Sequence, residues 1–305
     1  MKKILLTGSE GFCGKSLKEF FKNISNFVLC CPKQSELNLT NSNEVEKCIE
    51  AFQPDIIIHS ANSNTLGKDY DADVCEQNLR MFFNLLRYRP NGCVIYTLCS
   101  GSSYNRDNWV ENMDESYLGV HIPTDAQGFS KYVIASHARH EDDVVTLRLF
   151  GIFGKHEDYR YKFISNTIAK RLTGLDVTLF RDAIYDYLDV DDFTTIVQQL
   201  IDQSVRSGEF NVTPNHSVSL SKIIETIDQC LDIQSGYTIA TAGLGKTYTG
   251  SNKKLTSVLN GLKFTPITES ISRLIQHYTT NPHLVDRKAL EQDPLLQHAK
   301  SINSK

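Results

Sequence analysis

The chain has 305 residues, 40% hydrophobic, 22% charged and 10% aromatic, fractions of an ordinary globular protein that exclude a disordered, collagenous or coiled-coil chain. Its 32 Lys and Arg are outnumbered by 36 Asp and Glu, and a net charge of −4 gives no electrostatic reason to bind nucleic acid. No apolar run approaches the roughly 18 residues of a membrane span, and the start of the chain carries too few apolar residues for a signal peptide, so no membrane partner and a cytoplasmic location are expected.

In chain order, Ile4-Leu5-Leu6 reads as a compact apolar strand, followed by a glycine-rich turn and a helical stretch over 15–22. Further strands are expected at 27–29, 55–59, 93–97 and 144–148, with helices at 42–51, 74–87 and 130–138 between them. Each apolar run is too short for a buried helix. Short strands alternating with helices indicate an α/β fold, a doubly wound parallel sheet covered on both faces. Beyond residue 150 the rhythm loosens: helices are expected at 163–172 and 220–231, the second capped by Ser219 or Ser221, and short strands at 177–180 and 210–213. This sets a sheet domain over 1–155, a smaller lobe over 156–280 that could return one strand to the sheet, and a polar tail over 281–305. The eight cysteines form no CxxC pair and several lie in apolar strings, so they read as buried free thiols, neither disulfides nor a metal site.

Between the first strand and the first helix runs Thr7-Gly8-Ser9-Glu10-Gly11-Phe12-Cys13-Gly14. The three glycines allow a tight turn, close backbone approach to a pyrophosphate, and close packing of helix on sheet. The helix N-terminus then offers amide donors and partial positive charge to the phosphates. Dinucleotide binding is expected in a Rossmann domain, with Gly8, Ser9, Glu10, Gly11, Phe12 and Gly14 around the diphosphate.

The TGxxGxxG form resembles the extended short-chain dehydrogenase/reductase superfamily, in the branch of NAD(P)-dependent nucleotide-sugar epimerases, dehydratases and reductases. Further segments match that family in order. Asn38-Leu39-Thr40-Asn41 resembles its D-[LI]-T-D segment, and 57–62, with Ser60, Ala61 and Asn62, resembles the strand end passing beside the cofactor. Asn78 falls where the family's next helix carries asparagine, and 96–104 resembles the strand ending in its serine-rich turn. Residues 147–154, with Phe150, resemble the segment beneath the nicotinamide, and 181–192 resembles a segment of the substrate lobe.

The resemblance implies catalysis by Ser, Tyr and Lys, the last two spaced YxxxK on one helical face so that the ammonium lowers the phenol's pKa. Ser100 stands at the serine position, and Lys131 at the lysine position, where it is also expected to bind the nicotinamide ribose. The tyrosine position holds Gln127. An amide hydrogen-bonds a carbonyl but exchanges no proton near neutral pH, and losing a general acid costs about 100- to 10,000-fold. Either Tyr104, Tyr117, Tyr132 or His121 donates instead, or the chain binds its ligands without turnover, or the glutamine was introduced.

No carboxylate follows the second strand until Glu36, whereas Lys33 could pair with a 2′-phosphate. The passage 33–40 also resembles that of GDP-fucose synthase and dTDP-4-dehydrorhamnose reductase, which use NADPH. NADP is the expected cofactor, with NAD as the alternative. For a nucleotide-sugar substrate, Arg181 offers a planar fork to a diphosphate, and Ser102, Tyr104, Arg160, Asn166 and Tyr185 stand where the family contacts the sugar nucleotide. Asp189, Asp191 and Asp192 read as a helix N-terminal turn, and no metal is expected. Gly101-Ser102 after the serine argues against a dehydratase, which shows Asp-Glu there. The resemblance implies a reductase or epimerase/reductase of a 4-keto sugar nucleotide in surface polysaccharide synthesis, and leaves a homodimer open.

Overall fold

A computed structural model of the chain describes residues 1–64, 73–214 and 216–303. They form two compact units. One comprises Met1–Phe150, Phe193–Val212 and Gly250–Leu262, the other Gly151–Asp192, Thr213–Thr249 and Lys263–Lys305. The expected boundaries are thereby corrected. The first break falls at 150, the polar tail belongs to the second unit, and two later stretches rejoin the first, because a late strand completes its sheet.

That sheet has six strands: β1 (Lys2–Thr7), β2 (Phe27–Cys30), β3 (Ile56–His59), β4 (Val94–Ser100), β5 (Val144–Leu149) and the late strand Gly208–Val212. From one edge the order is late strand, β5, β4, β3, β1, β2, and every neighbouring pair is parallel. Ile56–His59 is buried at every position, the result of cover on both faces, which is why this strand reads as unbroken apolar sequence. Edge strand β2 is only half buried. Helix α1 spans Phe12–Lys22, α2 Ser42–Phe52, α3 Val74–Tyr88 and α4 Ala126–Ala138. The core packs Leu5, Ile57 and Ile95 of the sheet against Ile49, Phe82, Leu85 and Ile134 of the helices.

Helix α4 starts four residues before the expected 130, because the Asp125 carboxylate accepts the Gly128 amide at 2.7 Å and caps it. Helix α2 is capped by Asn41, whose Oδ1 accepts from Asn43 and Glu44. After β1 the chain pairs β2 on one side and later β3 on the other, so strand order reverses at the carboxyl ends of β1 and β3. In doubly wound sheets, ligands bind in the crevice at such a reversal. None of the eight cysteines forms a disulfide among the described residues. Only Cys93 and Cys99 are buried, and the other six are half-buried, as befits an edge strand and helix flanks.

The second unit buries Ile164 and Ile168 of the helix Phe163–Leu172 against Ile223, Ile224 and Ile227 of the helix Leu220–Cys230, and Ile271 and Leu274 of the helix Ile267–Thr280. Ser219 caps Leu220–Cys230 by accepting the Lys222 amide at 3.1 Å, while Ser221 donates to Asp182 at 2.6 Å. Asp189 accepts the Asp191 amide at 2.8 Å at the start of the helix Val190–Asp202 and pairs with Arg273 at 2.7 Å.

Burial pushes the Glu157 carboxyl up to about 7, opposed by its hydrogen bond from Ser165. The folded chain therefore keeps this proton to higher pH than the unfolded chain. Stability from this group is full below the ordinary carboxylate range and is lost as pH rises through about 7. The expected loss is on the order of 3 kcal/mol, visible as a falling urea midpoint between pH 5 and 8 and abolished in Glu157→Gln. A pH-independent midpoint in the native protein would exclude it.

Candidate functional site

Gly8 follows β1 with φ +67°, and a Cβ there would lie 2.5 Å from the Ala61 nitrogen, so the loops after β1 and β3 touch through bare backbone. A Cβ on Gly14 would meet the Gly8 carbonyl oxygen at 2.0 Å, which draws the first turn of α1 onto the strand end. Gly11 differs. Its φ of −79° suits any residue, and its Cβ would meet only the Gly8 oxygen at 3.4 Å. It faces open space at a helix N-terminus that no side chain caps, where the first-turn amides and the helix dipole favour a phosphate. These residues fit a dinucleotide diphosphate.

Around this cradle Ser9 is buried, its hydroxyl 3.5 Å from the Cys31 carbonyl, while Glu10 is exposed and Phe12 half-buried. Lys33 is exposed beyond β2. Asn38 caps its own turn, its Oδ1 accepting from the Thr40 amide and hydroxyl at 3.0 and 2.8 Å. The Leu39 side chain belongs to the core, so only its backbone can face a ligand. Ser60 and Ala61 are half-buried and Asn62 exposed. The loop beyond them is tied down by Asn78, which accepts the Ser63 amide at 2.8 Å, donates to the Ser63 carbonyl at 3.0 Å and reaches Ser130 at 3.2 Å. At the end of β3, His59 is buried against Thr7 at 2.9 Å. Burial, with Lys131 nearby, pulls its pKa down to about 3, which keeps the ring neutral.

Ser100 ends β4 and opens the Gly101–Ser103 turn, its Oγ accepting the Ser102 amide at 3.1 Å. Accepting there leaves its own proton to donate. The Ser102 hydroxyl is buried with no hydrogen-bond partner among the described residues. A Cβ on Gly128 would meet the Ser102 carbonyl at 2.8 Å, so α4 abuts this turn through a glycine. On α4, Lys131 is buried, its ammonium donating to the Leu98 carbonyl at 3.2 Å, and desolvation lowers its pKa. One turn earlier, Gln127 is half-buried, and its backbone carbonyl accepts from Ser130 at 2.8 Å. Ser100, Ser102, Gln127 and Lys131 thus lie on two abutting elements of one unit.

Tyr104 does not join them. Its side chain is sealed in the core, its hydroxyl donates to Asn211 at 2.9 Å, and burial raises its pKa, so it is neither a spare acid nor a substrate ligand. The Phe150 ring packs over Gly250 and edge-on to Trp109. In the second unit, Arg160 is exposed and forked onto Asp158 at 2.8 and 2.9 Å. Asn166 is buried with its amide on the Arg160 carbonyl at 3.3 Å, so it braces that loop. Arg181 keeps a buried Nε with no hydrogen-bond partner, and Tyr185 stacks on Tyr187 with ring centroids 5.8 Å apart. Sequence reading passed over Asp125, Gly128 and Asn78 as positioners. The Asp-x-x-Gly spacing that caps α4 was the available signal.

Comparison with known proteins bears on the same residues. The family model described as "NAD dependent epimerase/dehydratase family" matches residues 4–213. The chain is 24% identical to GDP-6-deoxy-D-talose 4-dehydrogenase of Aggregatibacter actinomycetemcomitans, covering 74% of this chain and 79% of that protein. It is 21% identical to GDP-L-fucose synthase of Dictyostelium discoideum, covering 92% and 96%. In fold it is similar to a GDP-L-fucose synthetase from Naegleria fowleri solved with NADP, at a TM-score of 0.79 and 16% identity, over 92% of this chain and 94% of that one. Among the described residues no helix is long and apolar enough to cross a membrane, and no group of three or more His, Cys, Asp or Glu could hold a metal ion. The family match runs from the first strand of the sheet to its last, across the glycine cradle and the serine turn, and the chain belongs to the NAD dependent epimerase/dehydratase family, enzymes that work with a nicotinamide dinucleotide.

Proposed function

We propose that the chain is an NADP(H)-dependent reductase, or epimerase/reductase, of a 4-keto nucleotide sugar, working in surface polysaccharide synthesis in the cytoplasm. The observation that carries this reading is the joining of the Ser100 turn to the helix of Lys131 through Gly128. The nicotinamide, when bound, exchanges a hydride with the sugar carbon. The Gly8–Gly14 turn holds the diphosphate, and Lys131 reaches the nicotinamide ribose from its buried position. Ser100 donates a hydrogen bond to the sugar oxygen, with the buried Ser102 hydroxyl beside it; Gln127 adds an amide contact without a proton to give, so the proton that completes the alcohol comes from Tyr117, Tyr132 or His121. Arg181, in the second unit, is read as a ligand for a diphosphate group, its buried Nε having no hydrogen-bond partner among the described residues. An NADPH oxidation assay over a panel of 4-keto nucleotide sugars tests the reading, and binding without turnover would overturn it.

Gln127 favours a second reading, a family member that binds dinucleotide and sugar nucleotide without turning them over. The same assay, run beside calorimetry with both ligands, separates the two.

NADP preference rests on Lys33, an exposed cation beyond β2. Lys33→Glu is expected to weaken NADPH about tenfold, roughly 1.4 kcal/mol, while NADH binding holds or improves. Equal effects on the two coenzymes would remove Lys33 from the 2′-phosphate site.

A further inference from the structure

The turn that carries the serines is braced from beneath by a charge with no place in the chemistry proposed above. Arg148, whose Cα pairs with Cys99 across β4 and β5, is fully buried. Its Nε donates to Ser103 Oγ at 3.1 Å, one Nη donates to the Glu209 carboxylate, and its guanidinium carbon lies 5.1 Å from the Tyr104 ring centroid. The other oxygen of Glu209 accepts from Arg139 Nε at 2.7 Å. Arg139 is anchored in turn on the carbonyls of Leu118 and Glu115 at 3.2 and 2.6 Å. Two residues along the same strand, Asn211 accepts the Tyr104 hydroxyl and donates to the Met113 carbonyl at 2.9 Å. Of the two residues after Ser102, Ser103 is thus held by Arg148, itself paired with Glu209, and Tyr104 by Asn211; Glu209 and Asn211 alternate along the edge strand, on one face of the sheet.

A buried ion pair adds little net stability, because desolvation offsets most of its attraction. The second Nη of Arg148 is also buried without a partner, a further cost. What the planar fork supplies is direction: it fixes two acceptors at once. We propose that Arg148 is a positioning residue which, together with Glu209, sets the Gly101–Ser103 turn through Ser103, so that the hydroxyls of Ser100 and Ser102 meet the oxygen of the substrate carbonyl. The inference rests on the reductase reading.

Ser103→Ala cuts the link and leaves the Arg148–Glu209 pair intact, while Arg148→Lys keeps the charge and loses the fork. Each is expected to lower kcat about 10- to 100-fold, the scale of a displaced reacting group. KM for the sugar nucleotide and Kd for NADPH stay within about twofold, the pattern of an interaction felt only in the transition state. Ser103→Ala combined with Ser100→Ala is expected to lose no more than Ser100→Ala alone, since Ser103 acts through Ser100. Additive losses, or a kcat unchanged in Ser103→Ala, overturn the proposal and leave the reductase reading standing. Hydrogen exchange provides an arm that needs no substrate. The Ser102 amide, bonded to Ser100 Oγ, and the Tyr104 amide, bonded to the Gly101 carbonyl, are expected to exchange about tenfold faster in Ser103→Ala while α1 keeps its rates. Equal rates at Ser102 and Tyr104 overturn the proposal even if the native protein turns over no substrate, a failure that would itself count against the reductase reading alone.

Discussion

Gln127→Tyr is expected to raise kcat for reduction of a 4-keto nucleotide sugar by about 100-fold or more, the usual worth of a positioned general acid. Position 127 lies one helical turn before Lys131, so a phenol there shares a face with a buried ammonium, and that charge favours the phenolate and lowers the phenol's pKa. Gln127 is half-buried, and the helix start is fixed independently by the Asp125 cap and by Gly128 against Ser102. Affinity for NADPH should not change, because the substitution leaves the glycine cradle intact. A new ionisation should also appear in the pH profile of kcat. Steady-state NADPH oxidation checks this. An unchanged kcat would show that another group already delivers the proton, and the burial of Tyr104 narrows that search to Tyr117, Tyr132 and His121.

The second large effect is a contrast between two glycines three residues apart. Gly14→Ala places a methyl 2.0 Å from the Gly8 carbonyl oxygen, a backbone atom that cannot step aside without moving the strand end. Loss of dinucleotide binding by more than about 100-fold is expected, together with a thermal midpoint lower by several degrees, since the clash lies in the packed sheet. Gly11→Ala places its methyl at ordinary contact distance in a conformation any residue adopts. The fold should therefore be unaffected, and only the diphosphate should meet the methyl, weakening NADPH by about tenfold or more. Calorimetry and thermal melting of the two variants check this. If Gly11→Ala binds NADPH normally, the diphosphate does not lie over that amide.

Much of this arrangement was legible in the sequence, and the parts that were share a physical reason. The glycine turn and the alternation of strands with helices depend on neighbours close in the chain or on burial that marks a whole run of residues. Strand β3 reads as Ile-Ile-Ile because the sheet covers it on both faces. What escaped depends on distant partners. Tyr104 looked like an available phenol because nothing near it in sequence reveals Asn211, 107 residues on, as the acceptor of its proton. The Arg148–Glu209 pair, 61 residues apart, left no local pattern at all. Asn166 read as a ligand because its amide is polar, whereas its partner is a backbone carbonyl, which any residue could have supplied. The domain boundaries differ for the same reason, since the strand that completes the sheet comes after the whole of the second unit's first segment.

The late arrival of Gly208–Val212 has a consequence for how the protein is made. While the ribosome has released only the first 155 or so residues, β5 is an open edge with unpaired amides and carbonyls, and Arg148 has no carboxylate to neutralise it. The amino-terminal half is therefore expected to be less stable by itself, since it buries the Arg148 charge without its counter-ion. A fragment cut at the apparent boundary is expected to aggregate more readily than the full chain, because Glu209, the carboxylate that pairs with buried Arg148, lies beyond the cut.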